Sequence, residues 1–118
     1  EDKIYHTIHS KNHICKPYNS FCENIKNVTE EFHNYGLYWE EDLIEFYVDR
    51  KLTGRIQNNK YDKLEDWPFN DYFYLIINCA VGGDWPGEVN DNHLPYTFVI
   101  DYVKIWQKDE HDIKRLEI

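Results

Sequence analysis

The apolar run from Tyr72 to Val81 constrains the fold more than any other stretch of this chain. Aromatic, aliphatic and β-branched side chains fill most of it, and a Trp-Pro dipeptide stands near each end. Such a run between two loops is typical of a buried β-strand. We therefore expect a core strand here, with the rest of the chain arranged around it.

Asn78 is the one amide in that run. A buried amide without hydrogen-bond partners costs about 1–3 kcal/mol, so Asn78 is expected to hold a neighbouring loop or to face a polar cleft. The Gly82-Gly83 pair then permits a sharp turn, and Trp85 stands in the loop that follows. Two interpretations fit these residues: a structural Asn with a packing Trp, or an amide and an indole that bind a sugar.

The composition favours an all-β protein. The chain has 118 residues, enough for one domain with a modest core. Aromatic residues make up 17% of it, and aromatic side chains are enriched in strands. Met is absent, so we expect that the chain has been processed or belongs to a longer protein.

The charge argues against several classes of partner. The formal net charge is −9 and is spread along the sequence. Because phosphate backbones and anionic lipids repel such a surface, we expect neither nucleic acid nor membrane as a partner, and neutral ligands suit it better. No apolar run approaches the roughly 20 residues that a membrane-spanning helix needs.

The cysteines and one sequon suggest an extracellular protein. Cys15 and Cys22 lie in a polar segment and could pair if the protein is secreted, whereas Cys79 in the predicted core strand is expected to be a buried thiol. The sequon that begins at Asn27 fits a secreted surface loop.

Several further stretches have the composition of strands, and most of them alternate. They are Ile4–His9, Phe32–Trp39, Ile44–Val48, Leu52–Ile56 and, covered on both faces, Thr97–Gln107. Turn signals separate them at intervals of about ten residues, which predicts the antiparallel strands of a β-sandwich. Residues 10–30 are expected to form a long loop or insertion, and residues 108–118 a charged tail.

Four blocks in this order also carry a family resemblance. They read Phe32-His33-Asn34-Tyr35-Gly36-Leu37-Tyr38-Trp39, Ile44-Glu45-Phe46-Tyr47-Val48-Asp49, Trp67-Pro68-Phe69 through Gly87, and Ile100 through Gln107. In content, order and spacing they resemble the C-terminal half of the family 16 glycoside hydrolases, in the laminarinase or endo-β-1,3-glucanase branch. The resemblance covers about residues 4–107.

The resemblance implies a concanavalin-like β-jelly roll of two curved antiparallel sheets, with a glucan in a cleft along the concave face. It also implies retaining hydrolysis, in which one glutamate attacks the anomeric carbon and a second protonates the leaving oxygen. In the family both lie on a Glu-x-Asp-x-x-Glu strand upstream of the position of Ile4. Residues 1–107 would then form a partial jelly roll without catalytic residues, completed by a missing N-terminal half or a second chain.

The same motif occurs at Glu40-Glu41-Asp42-Leu43-Ile44-Glu45. We interpret it as a decoy, because the resemblance places a solvated hairpin turn there. A strand of period two would put Glu40 and Asp42 on one face and Glu45 on the other, unless a bulge intervenes.

By the resemblance, three residues of this chain bind substrate: His9, Asn78 and Trp85. His9 would stand near the acid/base end of the cleft, and Asn78 would line the concave face. Trp85 would stack on a pyranose ring, because the axial C–H groups of the sugar meet the π-face of the indole. Asp101 matches a position that helps to bind a structural Ca²⁺, with the other ligands in the missing half.

The leading hypothesis is the cleft-wall portion of an extracellular β-glucan hydrolase that acts on β-1,3- or mixed-linkage polymers. A non-catalytic β-glucan recognition protein is the alternative, since relatives with this fold exist that lack the glutamates. A galactan-acting or transglycosylating relative is a third hypothesis, because loops choose the substrate and the loops match least. Trp39, Trp67, Trp106 and His33 are expected to have packing or structural roles.

Overall fold

The computed structural model describes residues 2–12, 20–58 and 65–108. The chain divides into two units, Glu1–Tyr74 (unit 1) and Leu75–Ile118 (unit 2). All strands of the described residues lie in unit 1 and pair antiparallel, which confirms the all-β class. No helix in these ranges is long and apolar enough to cross a bilayer.

The first sheet of unit 1 has two strands, β1 (Lys3–Thr7) and β2 (Ser20–Asn24). β1 confirms the strand expected at the start of the chain. β2 lies inside the segment predicted as a loop, so that prediction is wrong for residues 20–24. Phe21 is the one large apolar residue of β2, and it gives too weak an alternation to be read as a strand.

The rest of the predicted loop is described only in part. Residues 13–19, which include Cys15, lie outside the described residues, so the expected pairing of Cys15 with Cys22 lies outside them too. Cys22 itself is an exposed free thiol.

The second sheet is the predicted meander, in the order β3-β4-β5. Its strands are β3 (Tyr35–Glu40), β4 (Leu43–Val48) and β5 (Lys51–Gln57). Asp49 and Arg50 form the β4–β5 turn with φ of +49° and +68°, the left-handed pair that a two-residue hairpin turn requires. The β4–β5 register shifts between Phe46 and Tyr47, leaving Thr53 as the extra residue of a bulge.

The two sheets pack face to face, with β1 along β4. Ile8, which follows β1, is buried in one cluster with Ile44 of β4 and with Trp67. Two residues earlier, the His6 ring stacks on Phe46 with centroids 4.9 Å apart. The buried face of β4 therefore meets β1 and the residue after it at Phe46 and Ile44.

β2 lies along β5 in the same way. A Cβ on Gly54 of β5 would lie 2.7 Å from the Phe21 ring of β2, so only glycine lets the two strands approach this closely. The bulge residue Thr53 links the two sheets. Its hydroxyl donates to the Phe46 carbonyl of β4 at 3.1 Å and lies 3.0 Å from His6 Nε2 of β1.

Unit 2 departs from the sequence prediction. Neither the expected core strand Tyr72–Val81 nor Thr97–Gln107 is a strand, and both predictions are wrong. Ile76 is 67% exposed and Phe98 59%, and Cys79 is exposed as well. A strand needs a neighbour for its backbone groups, and among the described residues none pairs with these stretches. The regular structure described in unit 2 is a short 3-10 helix, Asp91–His93, and a bridged loop.

Candidate functional site

A closed five-residue loop, Gly83–Gly87, is the best-defined feature of unit 2. The N–H of Gly83 donates to the carbonyl of Gly87 at 3.1 Å, and the reverse bond measures 2.9 Å. Gly82 precedes the loop with φ of +73°, and a Cβ there would lie 2.6 Å from a methyl group of Val89. Glycine is therefore required at 82 for the chain to enter this loop.

The loop presents Trp85 to solvent. Trp85 lies between the two bridged glycines, and 76% of its surface is exposed. The two backbone hydrogen bonds close the loop that carries the indole, so little backbone entropy is lost when a ligand binds there. Its π-face suits the apolar C–H face of a sugar ring.

A cleft of about 550 Å³ lies against the same loop. Its lining is mostly backbone and small side chains: Val81, Gly82, Gly83, Asp84, Gly87, Glu88 and Val89. Asp84 and Glu88 add two carboxylates, which accept hydrogen bonds from sugar hydroxyl groups. The sequence pattern predicted neither acid, although Asp84 directly precedes Trp85 and Glu88 directly follows the Gly83–Gly87 loop.

Asn78 does not occupy the environment expected for it. It lies in the exposed stretch before the loop, so the argument from a buried amide does not apply to this structure. Asn78 and Trp85 belong to the same unit.

His9 follows β1 in unit 1 and is exposed between two buried residues, Ile8 and Ser10. The three predicted substrate-binding residues are thus divided between the two units.

The acidic turn at Glu40–Glu45 has a structural role. The Trp67 indole donates to the Glu41 carbonyl at 2.8 Å. Asn58 donates through its backbone N–H to the Asp42 carbonyl at 2.8 Å and through its amide to the Asp42 carboxylate at 3.0 Å. The turn therefore ties the β3–β4 hairpin to the segments that follow β5.

The hairpin turn expected at this position is observed, so the period-two argument for one continuous strand does not apply to these acids. Tyr38 pairs directly with Glu45 and lies two residues from Glu40, so Glu40 and Glu45 share a face of the sheet. The turn between Glu40 and Leu43 interrupts the alternation of side-chain direction that one continuous strand would show. Both carboxylates accept from tyrosines on this face, Glu40 from Tyr38 and Glu45 from Tyr47 at 2.6 Å.

A smaller cleft of about 350 Å³ lies beside the turn (the Trp39 cleft). It is lined by Trp39, Glu40, Glu41, Phe69, Asn70 and Asp71. The Trp39 indole donates to the Phe69 carbonyl at 2.9 Å and meets the Phe73 ring edge-on at 5.5 Å. Trp39 and the buried Trp67 therefore have the packing roles expected of them.

His33 and Asp49 form the clearest electrostatic pair in the described residues. His33 Nδ1 lies 2.7 Å from one Asp49 carboxylate oxygen, and the other oxygen accepts from the Asn34 N–H at 2.9 Å. The Asp49 carboxylate raises the pKa of His33, and the His33 hydrogen bond lowers the pKa of Asp49. The pair joins the start of β3 to the β4–β5 turn, which is a structural role.

Asp101 is exposed in unit 2. Within the ranges that the structure describes, no group of three or more His, Cys, Asp or Glu side chains could hold a metal ion. Asp101 alone does not make a calcium site there.

Comparison with known families gives one match that covers most of the chain. Residues 1–104 match the profile of the family described as Glycosyl hydrolases family 16. No solved structure was matched.

Comparison with characterised proteins gives relatives of several kinds. The chain is 32% identical over 114 residues to the Beta-glucanase of Rhodothermus marinus, covering 90% of this chain and 40% of the relative. It is 34% identical over 110 residues to the Keratan-sulfate endo-1,4-beta-galactosidase of Sphingobacterium multivorum, covering 91% of this chain and 26% of that relative. It is 29% identical over 98 residues to Beta-1,3-glucan-binding protein 1 of Manduca sexta, covering 66% and 20%. The chain therefore spans well under half the length of these relatives.

Proposed function

Because this chain belongs to glycoside hydrolase family 16, we propose that it is the portion of a β-glucan-acting hydrolase that supplies walls of the substrate cleft. The substrate would be a β-1,3- or mixed-linkage glucan. The catalytic carboxylates would lie on polypeptide outside this sequence and act by the retaining mechanism. The protein would work outside the cell, where such polymers occur.

The observation that carries this proposal is the Gly83–Gly87 loop. It holds the exposed Trp85 beside a cleft that offers two carboxylates, Asp84 and Glu88. A neutral glucan needs an apolar platform for its ring faces and acceptors for its hydroxyl groups. The loop and its cleft supply both in one unit.

Asn78 and His9 have supporting roles in this proposal. Asn78 would contact the glucan or the catalytic residues, and His9 would hydrogen-bond a glutamate or a sugar hydroxyl. Asp101 would contribute to a structural Ca²⁺ site only with ligands from outside the described residues.

The test is the affinity of the chain for laminarin, a β-1,3-glucan, by titration calorimetry. Trp85→Ala is expected to weaken binding about tenfold or more, because it removes the stacking surface. Trp106→Ala is the matched control, since it removes the same side chain from another position in unit 2 and should leave the affinity within about twofold. Equal affinities of the wild type and the Trp85 variant would contradict the proposal.

A non-catalytic β-glucan recognition protein is the second candidate. The similarity to the glucan-binding protein of Manduca sexta favours it. Assay of the full-length parent protein separates the two candidates, because a hydrolase releases reducing ends from laminarin and a recognition protein does not.

A galactan-acting enzyme is the third candidate. The similarity to the Keratan-sulfate endo-1,4-beta-galactosidase of Sphingobacterium multivorum favours it only as far as the galactosidic linkage. A competition experiment distinguishes this candidate from a glucan-binding protein. A β-1,4-galactan oligosaccharide would displace bound laminarin from a galactan site. No displacement is expected from a glucan site.

A further inference from the structure

The sequon Asn27-Val28-Thr29 lies in the connection between the two sheets of unit 1. Residues 25–34 join β2 of the first sheet to β3 of the second. Within this connection residues 26–30 form a turn, and residues 29–32 are all exposed. The sequon therefore lies in a surface turn, which is where a bulky modification can be accommodated.

The backbone of the turn accounts for an asparagine at position 27. Asn27 has φ of +59°, in the left-handed region that asparagine adopts more readily than most residues. Its carbonyl accepts from the N–H groups of Glu30 at 3.0 Å and Glu31 at 3.1 Å, which closes the turn. Asn27 therefore has a structural role whether or not it is modified.

The turn does not account for Thr29 in the same way. Thr29 is exposed, and its hydroxyl makes no hydrogen bond to another described residue. N-linked glycosylation does require a hydroxyl at this position, because its acceptor sequence is Asn-x-Ser/Thr with any residue except Pro in the middle. Every other Asn of this chain lacks Ser or Thr at that spacing. The pairing of Asn27 with Thr29 is thus explained by the modification and not by the fold.

The Asn27 side chain can carry a sugar without losing its contact in the turn. Its amide nitrogen donates to Glu31 Oε1 at 3.0 Å. Because an amide nitrogen carries two N–H groups, this hydrogen bond uses one and leaves the other. Asn27 is only partly buried. A sugar bonded to the nitrogen would replace the second N–H and leave the bond to Glu31 in place.

We propose that Asn27 is a site of N-linked glycosylation. The co-reactant is an oligosaccharide joined through pyrophosphate to a lipid. The Asn27 nitrogen bonds to the anomeric carbon of the first sugar and loses one proton, while the bond from that carbon to the pyrophosphate oxygen breaks and the lipid pyrophosphate leaves with the bonding electrons. The proposal rests on the extracellular location in the proposed function and is independent of glucan binding by unit 2.

The experiment expresses the full chain behind a cleavable secretory leader in a eukaryotic host that attaches N-linked glycans. The mass of the secreted chain is measured before and after treatment with a peptide N-glycosidase in water enriched in heavy oxygen. This enzyme removes the glycan and converts the modified Asn to a heavy-labelled Asp, which peptide mass spectrometry then locates. Circular dichroism checks that each variant is folded.

The secreted wild type is expected to lose the mass of one oligosaccharide and to gain the heavy label at residue 27 only. Thr29→Ala should reduce the label about tenfold or more, because it removes the acceptor sequence and leaves Asn27 with its contact to Glu31. Thr29→Ser keeps the acceptor sequence and should keep the label. Thr97→Ala, the matched control, removes an exposed threonine outside the sequon and should also keep it.

Two results would overturn the proposal. These are a secreted, folded wild type that carries no glycan at Asn27, and a glycan at Asn27 that survives Thr29→Ala. Titration of the same material with laminarin separates this proposal from the proposed function. An unmodified Asn27 with laminarin binding retained counts against glycosylation alone, and a glycosylated chain that does not bind laminarin counts against glucan binding alone.

Discussion

Unit 1 and unit 2 contain similar apolar sequences but differ in what they do with them. In unit 1, Ile44 is 4% exposed and lies on a strand paired on both sides. In unit 2, Ile76 lies in an equally apolar run, is 67% exposed, and has no pairing strand among the described residues. The difference shows that an apolar, β-branched sequence is not sufficient for a β-strand. The segment also needs an adjacent strand to pair with its backbone N–H and C=O groups.

The two units also differ in the candidate functional features that they contain. Unit 1 has the paired strands and the buried cluster, whereas unit 2 holds the loop with the exposed Trp85 and its cleft. Unit 1 therefore contains the packed core, and the aromatic platform of the proposed binding surface lies in unit 2.

The largest expected effect tests the core of unit 1 directly. Ile44→Ala should lower the free energy of unfolding by about 2–5 kcal/mol, because it leaves a cavity against Ile8 and Trp67. Ile76→Ala, the matched change in unit 2, should cost less than about 0.5 kcal/mol. Urea unfolding followed by circular dichroism measures both. Similar losses of unfolding free energy in the two variants would mean that Ile76 is as well packed as Ile44.

A smaller effect is expected where β2 meets β5. Gly54→Ala should destabilise unit 1 by about 1–3 kcal/mol, since the new Cβ would lie 2.7 Å from the Phe21 ring. Phe21→Ala should relieve the clash, so the double variant should be more stable than the sum of the single changes predicts. Strict additivity in this double-mutant cycle would show that β2 does not pack on Gly54.

The sequence allowed the meander to be predicted because β4 alternates Ile44, Phe46 and Val48 and ends in a turn. It did not allow β2 to be predicted, because that strand has Phe21 as its one large apolar residue, and Phe21 packs on Gly54, which is distant in sequence. Long-range packing of this kind leaves no local signal.

The candidate site could also be predicted only in part. Trp85 was identified from its glycine-flanked loop and the family resemblance, and the structure shows it exposed there. The carboxylates of Asp84 and Glu88 were not identified, because their place in the cleft depends on the bridge between Gly83 and Gly87. The resemblance places Asn78 on the concave face of a sheet, which requires neighbouring strands that the described residues do not contain.

The smallest expected effect is a pH dependence confined to unit 1. The pKa of His33 is raised by Asp49 from the usual 6.5, so the pair stabilises fully below that value and weakens as the pH rises through the folded-state pKa. The pKa of Asp49 is lowered by the His33 hydrogen bond, so the stabilisation from this carboxylate is present above the usual pKa of 3.8 and is lost as the pH falls through the folded-state pKa.

Urea unfolding of the wild type and His33→Gln across pH 5–9 measures this effect. The difference between the urea midpoints of the two proteins should be largest near pH 5 and should decrease as the pH rises towards 9. Asp49→Asn removes the same contact and should give the same trend. A difference that grows with pH would contradict the assignment.

The most direct test of the proposed binding surface is a ¹H–¹⁵N spectrum of the chain recorded while a β-1,3-linked glucose hexasaccharide is added. The account predicts shifts of the Trp85 indole N–H and of the backbone amides at residues 82–89, with the Trp39 indole and the strands of unit 1 unchanged. Shifts confined to the Trp39 cleft, or no shift at residues 82–89 at saturating hexasaccharide, would contradict it.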